Sequence, residues 1–436
     1  MVNEALVAHL NRVVGSELEE QYRSLLDYSD SDLNLSNSQR KSILEAVFKC
    51  KVLDPACGSG AFPVGMLQQM VHILQRIDPD NEMWRNMILE SSLNSMQESM
   101  TLSDEERREI QEDVNHNFDE SCNHPDYARK LYLIENCIYG VDIQPIAIQI
   151  SKLRFFISLV IDQKTNSDPT ENFGIRPLPN LEAKFVAANS LIGLKKRDGN
   201  LFDIDEIKAD EKLLRLAKHR IFGAKTLRTK RKWKNRVAEL RQKIADALIE
   251  NNFIGNEQAA DLVAWDMFDQ HKYAPFFDAE WMFGVTDGFD IVIANPPYIR
   301  LQNNGGALAK MYKECNYESF SRTGDIYCLF YEFGWQMLKN EGILTYITSN
   351  KWMRTGYGES LRKFMIDKVN PIFLMDFAGI QVFDATVDAN ILIFSKAKNA
   401  HNLSVVSCAH QGKDILKNLS DFVRQNAVAT DFSTSD

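Results

Sequence analysis

The sequence predicts an α/β fold: a doubly wound, mostly parallel sheet of seven strands with helical insertions. Three observations predict it. Short apolar runs such as Phe289-Asp290-Ile291-Val292-Ile293-Ala294 have the length and β-branched content of buried strands. Segments of helical periodicity separate these runs, the alternation that builds parallel sheets with crossover helices. Several runs halt in loops of small or polar residues, at 54–60 and 295–298, where open α/β sheets bind their ligands.

Residues 1–50 read as a helical lead-in, with apolar positions at Ala5, Leu6, Leu10 and Val13, then Leu18, Tyr22 and Leu25. Ser36 or Asn37 can cap the next helix. Residues 51–195 form the first half of the sheet domain. Its strand 52–53 leads into the loop Asp54-Pro55-Ala56-Cys57-Gly58-Ser59-Gly60 and a helix over 61–74. The acidic, polar stretch 78–129 is an insertion. A strand at 137–142, a helix at 145–161 and a strand at 184–188 ending in Asn189-Ser190 complete that half. Residues 196–285 form a second, basic and helical insertion. The other half, 286–396, has strands at 289–294, 343–348, 372–377 and 389–394, with helices at 325–338 and 357–365. Residues 397–436 read as a tail without a clear module.

No apolar run approaches the ~20 residues of a membrane span, and the N-terminus lacks a signal-peptide pattern. The seven cysteines are scattered and form no C-x-x-C pair, so reduced thiols in a cytoplasmic protein are the simplest account. Cys122, His124 and Cys137 fit no usual zinc spacing. A net charge of −10 argues against coating nucleic acid by bulk electrostatics. The charge is uneven, however: between Lys208 and Lys243 stand 14 Lys/Arg against three Asp/Glu. That stretch is either a phosphate-binding stripe or a solvated helical hairpin.

The chemistry gathers at strand ends. Two prolines stop the 289–294 run and hold Asn295 in extended geometry. Asn295-Pro296-Pro297-Tyr298 thus offers a carboxamide oxygen, a backbone carbonyl and an aromatic ring around one small space, which suits an amino group on a flat ring. The 54–60 loop lets backbone N–H groups approach a ligand. It is not the dinucleotide G-x-G-x-x-G and lacks the lysine of a P-loop. Asp142 ends the second strand, where a carboxylate can accept both hydroxyls of a ribose. Loop and aspartate together describe a nucleoside pocket for a ligand without polyphosphate, a description that S-adenosyl-L-methionine fits.

With these residues in view, the chain resembles an adenine-N6 DNA methyltransferase of the gamma class. Asp54 to Gly60, Asp142, Asn189 and Asn295 to Tyr298 are similar to its motifs I, II, III and IV, in that order. The likeness extends through Gly324-Asp325-Ile326-Tyr327, 343–352 and 377–394, and it points to the large type IIG restriction–modification enzymes and the BREX phage-defence methyltransferases. The resemblance implies a Rossmann-like methyltransferase sheet, S-adenosyl-L-methionine as cofactor, no metal for the transfer, and double-stranded DNA as partner. It implies that Asp54 and the backbone of Ala56, Cys57, Gly58, Ser59 and Gly60 hold the methionine part. Asp142 takes the ribose, Ile143 lies against the adenine ring, and Asn189, followed by Ser190, contacts the cofactor's amino group where the family often has aspartate. Asn295 and Pro296 receive the target amino group, and Phe383 stacks on a flipped base opposite Tyr298.

A motif X before Asp54, expected from that family, is absent, and 397–436 is too short for a target-recognition domain of usual size. The chain therefore reads as the catalytic core of a longer protein. Two other readings stay open: a release-factor glutamine methyltransferase, which also carries Asn-Pro-Pro-Tyr, and a truncated core that binds without turning over.

Overall fold

The computed structural model describes residues 1–436 except 30–31, 98–103, 176–180, 195–206, 208, 215–216, 218–226, 252–253, 267, 270, 384–386 and 433–436. The strands are β1 (Val52–Asp54), β2 (Ile138–Asp142), β3 (Phe185–Ala187), β4 (Phe289–Ala294), β5 (Leu338–Ser349), β6 (Asn370–Asp376), β7 (Ala389–Ser395), β8 (Leu403–Ser407) and β9 (Val428–Thr430). They form one sheet in the order β3-β2-β1-β4-β5-β7-β6-β8-β9. β1 to β5 pair in parallel, β7 runs antiparallel to both β5 and β6, and β8 is parallel to β6. The sheet is α/β and mostly parallel as expected, but among the described residues it has nine strands, not seven.

The extra two come from 397–436, the stretch that reads as a tail. Leu403–Ser407 is a short run with only Leu403 and Val406 buried, so its own pattern is weak. Its partner β6 supplies the ladder, from Phe373↔Ser404 to Asp376↔Ser407. A second difference concerns β5, which starts at Leu338, five residues before the expected 343–348 strand. Glu341 has a left-handed backbone there, and the β4–β5 register slips between Phe289 and Ile291.

The α-helices that precede or interrupt the first half are α1 (Val2–Val13), α2 (Glu19–Leu26), α3 (Asn37–Lys49), α4 (Ala61–Ile77), α5 (Glu82–Gln97), α6 (Asp104–Asn117), α7 (Asp126–Asn136) and α8 (Pro145–Val160). Ser36 caps α3 through a reciprocal capping box with Gln39. α1 is more than a lead-in. It packs against β4 and β5, burying Ala5, Leu6 and Leu10. The 78–129 insertion is anchored by Trp84 of α5, fully buried and edge-on to Phe48 and Tyr132.

Alternate residues along the strands feed opposite faces, as the period of a strand requires. Leu53, Val141, Val292, Ala294, Leu344 and Tyr346 belong to one core. Val52, Ile138, Ile291 and Ile293 face the other side, where Ile343, Ile347, Ile391 and Ile393 form a further cluster. Among the described residues, no helix is long and apolar enough to cross a membrane.

Part of the basic 208–243 stretch lies outside the described residues. On the described helix Leu227–Glu250, several cations are engaged within the protein. Arg241 donates to the Trp265 carbonyl, Lys243 pairs with Asp210 at 2.8 Å, Arg236 pairs with Glu239, and Lys234 lies over the Phe268 ring. The stretch is not a uniformly free stripe.

Candidate functional site

The strand order reverses between β1 and β4, and this switch point is where an open α/β sheet opens a crevice at its carboxyl edge. Asp54 closes β1 and Asn295 follows β4, so the two residues flank the crevice. Asp142 ends the neighbouring β2, and Asn189 comes two residues after β3. Four segments far apart in the chain therefore share one edge.

The 54–60 loop is braced from several sides. The Ala56 N–H donates to Asp54 Oδ1 at 3.0 Å and the Cys57 N–H to the Val141 carbonyl at 2.9 Å. The Gly58 N–H donates to Asp142 Oδ2 at 2.9 Å, while the Ser190 hydroxyl donates to the Pro55 carbonyl at 2.6 Å. Gly60 has a φ of 82°, and a Cβ there would lie 2.9 Å from the Ser151 hydroxyl. That hydroxyl, on α8, donates to the Gly58 carbonyl at 2.9 Å. No local pattern in the sequence links Ser151 to a loop so far upstream.

Asp54 is buried, and burial first, then the neighbouring Asp142, pushes its carboxyl well above the ordinary range against the Ala56 N–H. The other Asp142 oxygen accepts from the Gln144 N–H at 2.8 Å. Ionised, a carboxylate offers about four lone-pair sites, so Asp142 retains capacity after these two bonds. Ile143 beside it is 48 % exposed. A carboxylate with spare acceptor sites next to an open aliphatic side chain fits a nucleoside, the sugar hydroxyls on one and the flat base on the other. Asn189 is buried, with Oδ1 accepting from the Leu191 N–H at 3.2 Å and the Tyr312 hydroxyl 3.4 Å from Nδ2. Tyr312 is another residue that local pattern did not reveal.

Around β4, Asn295 and Pro297 are exposed, Pro296 is buried and Tyr298 is half-buried. The Tyr298 hydroxyl donates to Asn295 Oδ1 at 2.8 Å, with the Ile347 carbonyl 3.3 Å away. Burial pushes the phenol up, so it stays a donor. Its ring meets Tyr327 edge-on at 5.9 Å, and the Tyr327 hydroxyl lies 2.9 Å from that of Tyr357. The Leu301 N–H donates to the Gly324 carbonyl and the Ile326 N–H to the Ile299 carbonyl, which sets 324–327 beside the Asn-Pro-Pro-Tyr turn. The Asp325 carboxyl is raised by burial and pulled back by Arg300 and Lys351, both exposed.

Phe383 is not brought against Tyr298. It packs on the Ile343, Ile347 and Ile391 cluster, whereas Tyr298 packs on the core of the opposite face. Asp384 beyond it lies outside the described residues. The three cysteine and histidine positions considered for zinc do not form a set: the buried Cys137 thiol points to the Val47 and Phe48 carbonyls. Cys122 instead shares a partly exposed turn with His116 and Asp119.

The model of the family described as Eco57I restriction-modification methylase matches residues 136–383. RM.MjaORFECS2P of Methanocaldococcus jannaschii, described as a type II restriction enzyme and methyltransferase, is 23% identical over 428 residues, covering 84% of this chain and 31% of the relative. Type II methyltransferase M.BanIII of Aneurinibacillus aneurinilyticus is 32% identical over 136 residues, covering 31% of this chain and 22% of the relative. Among solved structures, the ATP-dependent Type ISP restriction-modification enzyme LlaBIII bound to DNA aligns with 98% of this chain and 21% of its own, at 12% identity and a TM-score of 0.45. The chain spans less than a third of the length of each of these proteins.

Proposed function

This chain belongs to the Eco57I restriction-modification methylase family, and on that premise we propose that it methylates the N6 amino group of adenine in double-stranded DNA, with S-adenosyl-L-methionine as donor, as part of a restriction–modification or phage-defence system. The observation that carries the reading is the exposed Asn295 carboxamide at the switch point, across from the braced 54–60 loop and next to the buried Pro296. The cofactor, when bound, supplies a methyl group on a positively charged sulfur.

Asp54 and the backbone of 56–60 hold the methionine part, Asp142 the ribose, and Ile143 with Asn189 the adenine. Ser190 serves by fixing the loop through Pro55. Asn295 Oδ1 and the Pro296 carbonyl each accept one N–H of the target amino group. Adenine N6 is a poor nucleophile because its lone pair is drawn into the ring. Two acceptors favour a pyramidal nitrogen and stabilise the positive charge that grows on it, a preorganised effect that is strongest away from water. Such a base cannot react inside a duplex, so it is flipped out, and the Tyr298 ring offsets part of the unstacking cost. Phe383, half-buried, would supply the second face of that stack. Arg300 and Lys351 at the rim are suited to the flanking phosphates.

The test is to offer unmethylated DNA and a release factor side by side with labelled cofactor, and to identify the product by mass spectrometry. N6-methyladenine in the DNA is the expected product. Label in the protein, or cofactor binding with no transfer to either, overturns the reading.

A further inference from the structure

We infer that Tyr298 acts through its hydroxyl as a positioning residue, turning the oxygen end of the Asn295 carboxamide, and not its nitrogen end, towards the amino group to be methylated. This rests on the adenine-N6 reading above. A carboxamide carries an acceptor and a donor of nearly equal shape at its two ends. Turned half a circle, Asn295 would aim N–H bonds at an amino group and repel it. The Tyr298 hydroxyl, 2.8 Å from Oδ1, lowers the energy of the productive orientation by donating its single proton there. Oδ1 keeps its second lone pair for the substrate.

The surroundings aim this hydroxyl. The edge-on contact with Tyr327, itself joined to Tyr357, holds the ring. Among the described residues, the competing acceptor is the Ile347 carbonyl at 3.3 Å. The β4–β5 ladder ends at Ala294↔Tyr346, and the two prolines beyond Asn295 carry no N–H to extend it, so that carbonyl is left for the phenol. In the reversed orientation the phenol would accept from Nδ2 and donate to Ile347 over the longer 3.3 Å, so the observed pairing is the stronger one. The proline stop thus fixes both Asn295 and the position of the group that orients it.

The experiment uses the full chain with S-adenosyl-L-methionine and unmethylated DNA. Tyr298→Phe keeps the ring and removes the proton, and should lower kcat roughly 5- to 30-fold, with cofactor Kd and DNA KM changed less than about twofold. In an Asn295→Asp background both ends of the side chain are acceptors, no orientation is needed, and the same change should cost less than about twofold. An equal loss in both backgrounds, or none in the first, overturns the inference. If the wild type methylates no adenine, the functional reading fails on its own. The orientation is then decided by the Asn295 side-chain amide resonance, identified by its loss in Asn295→Asp. The same measurement decides if Asn295→Asp is too slow to compare. A shift of that resonance in Tyr298→Phe supports the contact, and an unmoved one rejects it.

Discussion

Asp290 and Asn295 stand at opposite ends of β4 and show two uses of a polar side chain. Asp290 is buried, and its carboxylate is surrounded by partners: Arg12 at 2.6 Å, Lys339 at 2.8 Å and the Lys51 N–H at 3.0 Å. Burial alone would raise its carboxyl, but Lys339, the Lys51 N–H and His9 together hold it below the ordinary range. Asn295 is exposed, and among the described residues its side chain is bonded only to Tyr298. One end of the strand uses polarity to lock α1, β5 and the sheet together. The other keeps acceptors available. Stability and function thus separate along a single strand, and either end can be tested alone.

The largest effect should come from Asp290→Ala. It leaves Arg12 and Lys339 facing each other without a counter-charge, and we expect a loss of ~3–5 kcal/mol in denaturant unfolding. A midpoint unmoved from the wild type would place the stability of this end elsewhere.

His9 sharpens the same end. Its Nε2–H lies 3.3 Å from the Ala46 carbonyl while Nδ1 accepts from Arg12 at 3.1 Å, which fixes a neutral ring. Burial first, then Arg12 and Lys339, push its pKa down to about 4 against Asp290 and the Ala46 carbonyl. The unfolded chain gains a proton below pH ~6.5 that the fold refuses until near pH 4. Stability should therefore fall as pH drops through that window, by as much as ~3 kcal/mol, and His9→Gln should flatten the slope. Parallel slopes for the two proteins between pH 6.5 and 4 would remove His9 from the account.

At the crevice, Asp142→Ala should weaken cofactor binding about thirtyfold, or ~2 kcal/mol, through loss of charge-assisted hydrogen bonds. Equilibrium titration checks this, and an unchanged Kd assigns Asp142 to bracing the Gly58 and Gln144 N–H groups alone. Asn295→Ala should have the smallest effect on folding, within ~0.5 kcal/mol, although methyl transfer should fall by at least tenfold, or ~1.4 kcal/mol. Unfolding and turnover measured on one preparation make the contrast with Asp290 direct. A variant that loses stability but keeps turnover would reverse the roles of the two ends.

Much of this was legible from residues alone. Strands such as Phe289–Ala294 carry a local cause, a β-branched run ended by prolines, and the small-residue loop at 54–60 carries another. Those causes lie within a few neighbours, so the alternation, the carboxyl-edge location of Asp54, Asp142, Asn189 and Asn295, and the α/β class follow without coordinates. Other features have no local cause. Leu403–Ser407 becomes a strand because β6 offers it a ladder, and Ser151 and Tyr312 reach the site only after α8 and the helix Asn303–Lys313 pack. Which face Phe383 takes depends on the chain's path between β6 and β7, and the Asp290 cluster gathers α1, β4 and β5 from distant parts of the chain. The sequence determined where polar groups must stop a strand. Which of them find partners depends on the packed fold, because pairing and burial are set by neighbours in space that no local pattern encodes.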